Sequence, residues 1–224
     1  MLQKHALIVG NGEVPAKELC DFFMQEGPLL LCADGGANSV AEFGYVPDFI
    51  IGDFDSVRPQ SKAGVAADHL ILVDADDTGT DLQKVLYQAL DLGVDTAVLL
   101  GFTGGRIDHS LHNLSLLKTF AGKLRLRMVD DYCDIRLLGE RIRFRAPIGL
   151  KLSLCPLAGA VGGVETSGLR FPLRRERLVP GVRDGISNEV VESEVEIRVG
   201  EGDLLLCLHR EFGVDTDAVV VLDS

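Results

Sequence analysis

Short apolar stretches alternate with helical patterns through the first half of the chain. Strand-length stretches lie at 6–9, 29–32, 49–51, 70–73, 96–100 and 124–129. Between them the clearest helix runs from Asp81 to Leu92, where Leu82, Val85, Leu86, Ala89 and Leu90 recur on one face of a 3.6-residue period. Alternating strands and helices, with strands apolar on both faces, predict a mainly parallel sheet covered on both sides. Such sheets bind ligands beyond the carboxyl ends of their strands.

From about residue 131 the pattern changes. Short β-like stretches recur at 141–145, 150–154, 190–199, 204–208 and 218–222, with no convincing helix. Turn-rich segments at 147–149, 156–163, 180–181 and Ser187-Asn188 separate them. The spacing predicts an antiparallel sandwich or barrel. The expected fold is α/β: an N-terminal mainly parallel α/β sandwich of Rossmann-like type over 1–135, then a C-terminal antiparallel β-sandwich over 136–224.

Of the 224 residues, 46% are hydrophobic, enough for a sizeable core, yet no apolar run reaches about 18 residues, so no membrane-spanning helix is expected. The apolar run at 6–9 is too short for a signal-peptide core, and a cytoplasmic protein is expected. The five cysteines, Cys20, Cys32, Cys133, Cys155 and Cys207, are odd in number and never spaced as CxxC. They fit neither a zinc site nor a disulfide framework and read as mostly buried apolar residues. Acidic residues outnumber basic ones 34 to 22, a net charge of −12 that argues against a nucleic-acid partner. A polyanionic substrate such as ATP would need cations at its site, and bound metal would supply them.

Residues 48–81 contain eight aspartates and no glutamate, against two basic residues, Arg58 and Lys62. The strand at 49–51 runs into Gly52-Asp53-Phe54-Asp55-Ser56, and continued strand geometry would point Asp53 and Asp55 the same way. Hard oxygen ligands at a sheet's carboxyl edge suit Mg²⁺, although Gly and Asp are also ordinary turn residues. Asp34, followed by Gly35-Gly36, ends another strand, where paired glycines admit close backbone approach or simply a strand-to-helix turn. Thr80-Asp81-Leu82-Gln83 reads as a capping box, with Thr80 as N-cap and Gln83 reaching back; Asp81 is free for a second role.

Gly101-Phe102-Thr103-Gly104-Gly105-Arg106-Ile107-Asp108-His109 reads as strand, glycine-rich turn and helix start, a geometry that holds phosphate through backbone N–H groups. Arg106 would add a planar, permanently charged contact. The spacing is neither GxGxxG nor Walker A. His109 and His112, with Asp108 nearby, would need a fourth ligand from elsewhere to make a zinc site. The basic run Arg174-Arg175-Glu176-Arg177 reads as a solvated loop.

Taken in order, Asn11-Gly12, 33–38 (ADGGAN), 47–56 (PDFIIGDFDS), Thr80-Asp81-Leu82, 104–109 (GGRIDH), 168–173 (GLRFPL) and 187–189 (SNE) resemble the thiamine pyrophosphokinase family over nearly the whole chain. The resemblance implies transfer of pyrophosphate from ATP to the hydroxyl of thiamine, giving thiamine diphosphate and AMP, in a homodimer with sites between subunits. It implies that Asp34, Asp53, Asp55 and Asp81 surround Mg²⁺ and the ATP phosphates, with Asp53, Asp55 and Asp81 catalytic and Asp81 or Asp55 accepting the hydroxyl proton. ATP would be bound by Asp34, Gly35, Thr103, Gly104, Gly105, Arg106, Asp108 and His109, and thiamine by Phe171, Ser187 and Asn188. Two departures stand out: Phe171 where the family often carries Trp, in a chain without Trp, and Thr78 where the family's Asp-x-Thr-Asp loop begins, with Asp76 or Asp77 as neighbouring substitutes. The alternatives are a haloacid-dehalogenase-like phosphatase using Asp53 as nucleophile, and a catalytically idle nucleotide-binding homologue.

Overall fold

The computed structural model describes residues 4–73, 79–210 and 220–223. Asp74, Asp76, Asp77 and Thr78 of the acidic loop, and residues 218–219 of the last expected strand, lie outside them. The chain divides into two compact units, residues 1–131 and 132–224.

The first unit contains β1 (His5–Val9), α1 (Lys17–Met24), β2 (Leu29–Ala33), α2 (Gly36–Glu42), β3 (Phe49–Gly52), β4 (Leu70–Leu72), α3 (Asp81–Asp91), β5 (Thr96–Leu100), α4 (Ile107–Thr119) and β6 (Arg125–Val129). Its strands lie in the order β6-β5-β1-β2-β3-β4, and every neighbouring pair is parallel. Because side chains alternate along a strand, Leu7, Val9, Leu30, Cys32, Ile50 and Leu100 share one face, where they pack with Leu19, Cys20, Ala37 and Val40 of α1 and α2. The equally buried Ile8, Leu31, Ile51 and Leu99 point the other way, and α3 packs against β2 and β3 through a face formed by Leu82, Val85, Leu86 and Ala89. Chain order reverses between β1 and β5, so the crevice at their carboxyl ends is the site that the topology favours for a ligand.

The second unit contains β7 (Cys133–Leu137), β8 (Arg141–Arg145), β9 (Lys151–Pro156), β10 (Val161–Ser167), β11 (Glu176–Leu178), β12 (Gly185–Glu189), β13 (Glu194–Arg198), β14 (Leu204–His209) and β15 (Val220–Asp223). Strands β12-β9-β14-β7 and β11-β10-β13-β8-β15 form two antiparallel layers. Leu152, Leu154, Leu204, Leu206 and Leu208 of the first layer meet Ile142, Phe144, Val164, Val195 and Ile197 of the second in one core.

Three expectations change. The stretch 190–199 is not one strand: β12 ends at Glu189 and β13 begins at Glu194, in different layers. At the corner between them, Val190 is fully buried, with its N–H on the Leu150 carbonyl. Glycine-rich 161–163 is strand and not turn, because the register shift between Val161 and Val164 accommodates Gly162-Gly163 in a bulge. Ser187-Asn188 likewise lies inside β12, where the register shifts between Gly185 and Asn188.

Phe144 is the largest fully buried side chain among the described residues of the second unit. Phe144→Ala is expected to cost about 3–5 kcal/mol, measured as a lower urea midpoint for that unit's transition.

Candidate functional site

Two strands end in the turns that gather the aspartates. Asp34 follows β2 in a left-handed conformation (φ 40°), which Asp tolerates better than most residues. Its N–H still bonds the Ile51 carbonyl at 2.9 Å, so it is anchored to the sheet edge. Gly52, at the end of β3, lies against it: a methyl group at Gly52 would come within 2.8 Å of the Asp34 Cβ. The residue is 3% exposed. Its Oδ2 accepts the Ser56 N–H at 3.2 Å, while its Oδ1 is buried with no hydrogen-bond partner among the described residues.

Strand geometry does not persist through Asp53-Phe54-Asp55. The chain turns at Phe54, whose φ of 64° is rare for a bulky residue, and whose ring packs against the core of the first unit beneath Lys62 Nζ, 4.4 Å from its centroid. The Asp55 N–H donates to Asp53 Oδ1 at 3.2 Å, and Ser56 Oγ donates to Asp55 Oδ1 at 2.8 Å. Asn38 of α2 holds the loop's far side, donating to the Ser56 carbonyl at 2.9 Å and accepting the Arg58 N–H at 2.9 Å. The turn therefore achieves what strand alternation was expected to do: one carboxylate oxygen each from Asp34, Asp53 and Asp55 lie within 4.8 Å of one another.

Asp81, at the start of α3, is outside this trio but feels it. Loss of solvation is the main cause of its raised carboxyl pKa; Lys84 opposes the rise, the charges of Asp53 and Asp55 add to it, and His109 opposes it. Asp34 is also raised, chiefly by burial, against hydrogen bonds from Ser56 and Gly35 and with a further push from Asp81. The capping box does not form. Thr80 has the extended N-cap backbone (φ −81°, ψ 162°), but no side chain caps α3, and its buried Oγ1 has no partner among the described residues. The Gln83 amide lies beside Gly79 instead, where a methyl group would meet its Oε1 at 3.1 Å.

At the switch between β1 and β5, backbone hydrogen bonds stitch two glycine turns together: Gly10 N to Leu100 O at 2.8 Å, Gly12 N to Gly101 O at 2.7 Å and Glu13 N to Thr103 O at 3.1 Å. Gly35-Gly36 serves a similar purpose, since a methyl group at Gly35 would sit 2.5 Å from the Asn11 side chain and one at Gly36 would overlap the Val9 carbonyl. Gly104, Gly105, Arg106, Asp108 and His109 are exposed around the start of α4. Arg106 is paired with Asp108, and that hydrogen bond holds the Asp108 carboxyl down to about 2. Such an exposed pair is weak enough to exchange for a phosphate. Thr103 Oγ1 donates to Asp130 Oδ2 at 2.8 Å, and Asn113, on the buried face of α4, donates to the Phe102 carbonyl at 2.8 Å. His109 and His112 join no three-ligand group among the described residues.

In the second unit, Asn188 meets Phe171, and Ser187 precedes Asn188 in β12. Phe171 is 61% exposed. Asn188 Oδ1 accepts the Phe171 N–H at 3.0 Å, and its Nδ2 donates to the Phe171 carbonyl at 2.8 Å. Ser187 (φ 61°) donates its N–H to Ser153 Oγ at 3.1 Å, which in turn contacts His209 Nε2 at 3.1 Å. None of the five cysteines forms a disulfide among the described residues. Cys20 and Cys32 are buried, whereas Cys133, Cys155 and Cys207 are half-buried. No helix among the described residues is long and apolar enough to cross a membrane.

A parallel α/β unit with converging carboxylates and a glycine-rich turn at its carboxyl edge, followed by an antiparallel β unit, defines an α/β enzyme of the phosphate-handling kind. Sequence profiles narrow this further. Residues 21–129 match the thiamin pyrophosphokinase catalytic domain, and residues 141–204 match the thiamin pyrophosphokinase vitamin B1 binding domain. The chain belongs to the thiamin pyrophosphokinase family. It is 28% identical to the thiamine pyrophosphokinase of Bacillus subtilis over 82% of this chain and 88% of that protein. It is 29% identical to thiamine pyrophosphokinase 1 of Oryza sativa subsp. japonica over 90% and 85%. The crystal structure of the Bacillus subtilis thiamine pyrophosphokinase superposes with a TM-score of 0.81 at 25% identity, covering 93% of this chain and all of that one. These matches give no support to a haloacid-dehalogenase-like phosphatase or to an idle nucleotide-binding homologue.

Because burial raises the Asp34 pKa, the folded protein keeps a proton there that the unfolded chain has lost, but only in the window between the usual carboxylate pKa and the higher folded one. Stability at this site is therefore highest below the usual carboxylate pKa near 3.9 and falls as pH rises through the higher folded value. In metal-free protein at pH 7, Asp34→Asn is expected to raise Tm by about 2–4 °C, and the gain should vanish at low pH. An unchanged or lower Tm at pH 7 would show that Asp34 carries no such cost.

Proposed function

We propose that this chain transfers pyrophosphate from ATP to the hydroxyl of thiamine, forming thiamine diphosphate and AMP. The observation that carries the reading is the convergence of Asp34, Asp53 and Asp55, with a buried, unpartnered Asp34 oxygen among them, in a family whose members are thiamin pyrophosphokinases. Three hard oxygen donors fit Mg²⁺, and an orphaned carboxylate oxygen is costly unless a cation takes it. Asp34, Asp53 and Asp55 would hold the ion, with Asp81 alongside. Bound there, Mg²⁺ supplies positive charge against the ATP phosphates in a protein of net charge −12.

The remaining steps belong to the chain's own groups. Backbone N–H groups of Gly104 and Gly105 and the start of α4 receive the phosphates, and Arg106 trades Asp108 for a phosphate oxygen. Thr103, Asp108, His109, Asp34 and Gly35 complete the nucleotide site. The thiamine oxygen attacks the β-phosphorus as its proton passes to Asp81 or Asp55, and AMP departs. A raised pKa suits Asp81 to that proton better than an ordinary carboxylate. Phe171 stacks on the pyrimidine of thiamine, with Ser187 and Asn188 beside it. The enzyme works as a homodimer in the cytoplasm. Exposed Ile107 and Leu111, one turn apart on α4, are apolar surface that subunit contact would cover; cysteines without a disulfide among the described residues suit a reducing compartment.

Incubation with ATP, Mg²⁺ and thiamine should release AMP and thiamine diphosphate in equal amounts, whereas ADP would mean attack at the wrong phosphorus. Asp53→Asn and Asp55→Asn should each lower kcat by about 100-fold or more with circular dichroism unchanged. Near-normal turnover in both purified variants sinks the assignment.

A further inference from the structure

We infer that Asn188 is a positioning residue for Phe171 and not itself a thiamine ligand; the inference rests on the reading that Phe171 holds thiamine. Asn188 is 4% exposed, and its amide is nearly used up. Its oxygen accepts two N–H groups, from Phe171 at 3.0 Å and from Glu189 at 2.9 Å. Its nitrogen donates to the Phe171 carbonyl at 2.8 Å. An Asn side chain has two acceptor sites on oxygen and two N–H donors, so one N–H remains.

The two bonds to Phe171 reproduce what a neighbouring strand would give that residue. They sit in a short ladder: the Arg170 N–H donates to the Glu189 carbonyl at 2.9 Å, and Leu169 bridges Val190. Beyond Phe171 comes Pro172, which has no N–H, and the Leu173 N–H bonds Thr166 Oγ1 at 2.9 Å. The Asn188 amide therefore closes the gap at the exposed Phe171. With the backbone fixed there, only the two side-chain torsions of Phe171 remain to be ordered when a flat ligand stacks on it, which lowers the entropic cost of binding. The clamp is itself anchored, because the β12 bulge that delivers Asn188 is held by the Ser187–Ser153–His209 contacts.

A double-mutant cycle tests this. Phe171→Ala should raise the KM for thiamine by about tenfold or more and leave the KM for ATP within about twofold. Asn188→Asp keeps the acceptor and removes the donor to the Phe171 carbonyl. It should raise the thiamine KM by about five- to tenfold alone, yet by less than about twofold in the Phe171→Ala background. Equal effects of Asn188→Asp in both backgrounds would overturn the inference and make Asn188 a direct ligand. No effect of Phe171→Ala on the thiamine KM would instead overturn the underlying reading of Phe171. The absence of Trp gives a readout independent of turnover and of KM. Phe171→Trp installs a lone fluorophore, and adding Asn188→Asp, or Asn188→Ser if the aspartate variant does not fold, should lower its steady-state anisotropy. Unchanged anisotropy means that the clamp does not order the ring, and the inference fails.

Discussion

A buried carboxylate with one oxygen left unpartnered among the described residues is the constraint around which the first unit is organised. Asp34 is taken out of water by the end of β3, where Gly52 leaves just enough room, and two more carboxylates are then brought to it. In a metal-free protein the buried Asp34 works against folding, since loss of solvation, with a further push from Asp81, drives its carboxyl toward the neutral form. Features that are neutral elsewhere become necessary here. Phe54 adopts a backbone conformation that bulky residues avoid, and the packing of its ring together with the Asn38 latch offsets that strain. A cation is the one kind of ligand that turns the crowding from a cost into affinity.

The same economy shapes the neighbouring glycines. In sequence, Gly35-Gly36 and Gly104-Gly105 look alike, yet they serve different ends. The first pair lets α2 start against the end of β1, and any side chain there would strike Asn11 or Val9. At the second pair the two residues differ: a side chain at Gly104 would strike Glu13, whereas Gly105 has open space where one would go, and both are exposed at the start of α4. Of the four glycines, only Gly105 faces open space.

Much of the first unit was legible because its signals are local. Apolar strands and the 3.6-residue face of α3 depend only on neighbours in the chain, and each expected strand lies within a residue or two of the observed one. The second unit was less so. There, Gly162-Gly163 and Ser187-Asn188 read as turns because a bulge and a turn use the same residues, and only the partner strand distinguishes them. The break within 190–199 was hidden for a related reason: its apolar residues serve two layers, and periodicity does not report which layer a residue joins. The capping box was legible in residue type but is not made: no side chain caps α3, and the Gln83 amide lies beside Gly79.

Among the site residues, chemistry was more visible than support. Acids, glycines and an exposed arginine announce themselves by type, whereas Asn38, Asn113 and Asp130 act by holding a loop, and nothing in their identity separates them from ordinary surface polar residues. Asn113 did leave a trace, as an amide on the apolar face of α4 beside Leu116 and Leu117. Asn188 left the opposite trace: read as a ligand from its place in a motif, its side chain is almost wholly spent on backbone. A residue can thus be indispensable to a binding motif while contributing no atom to the ligand, because what the motif must preserve is the direction in which the aromatic ring is held.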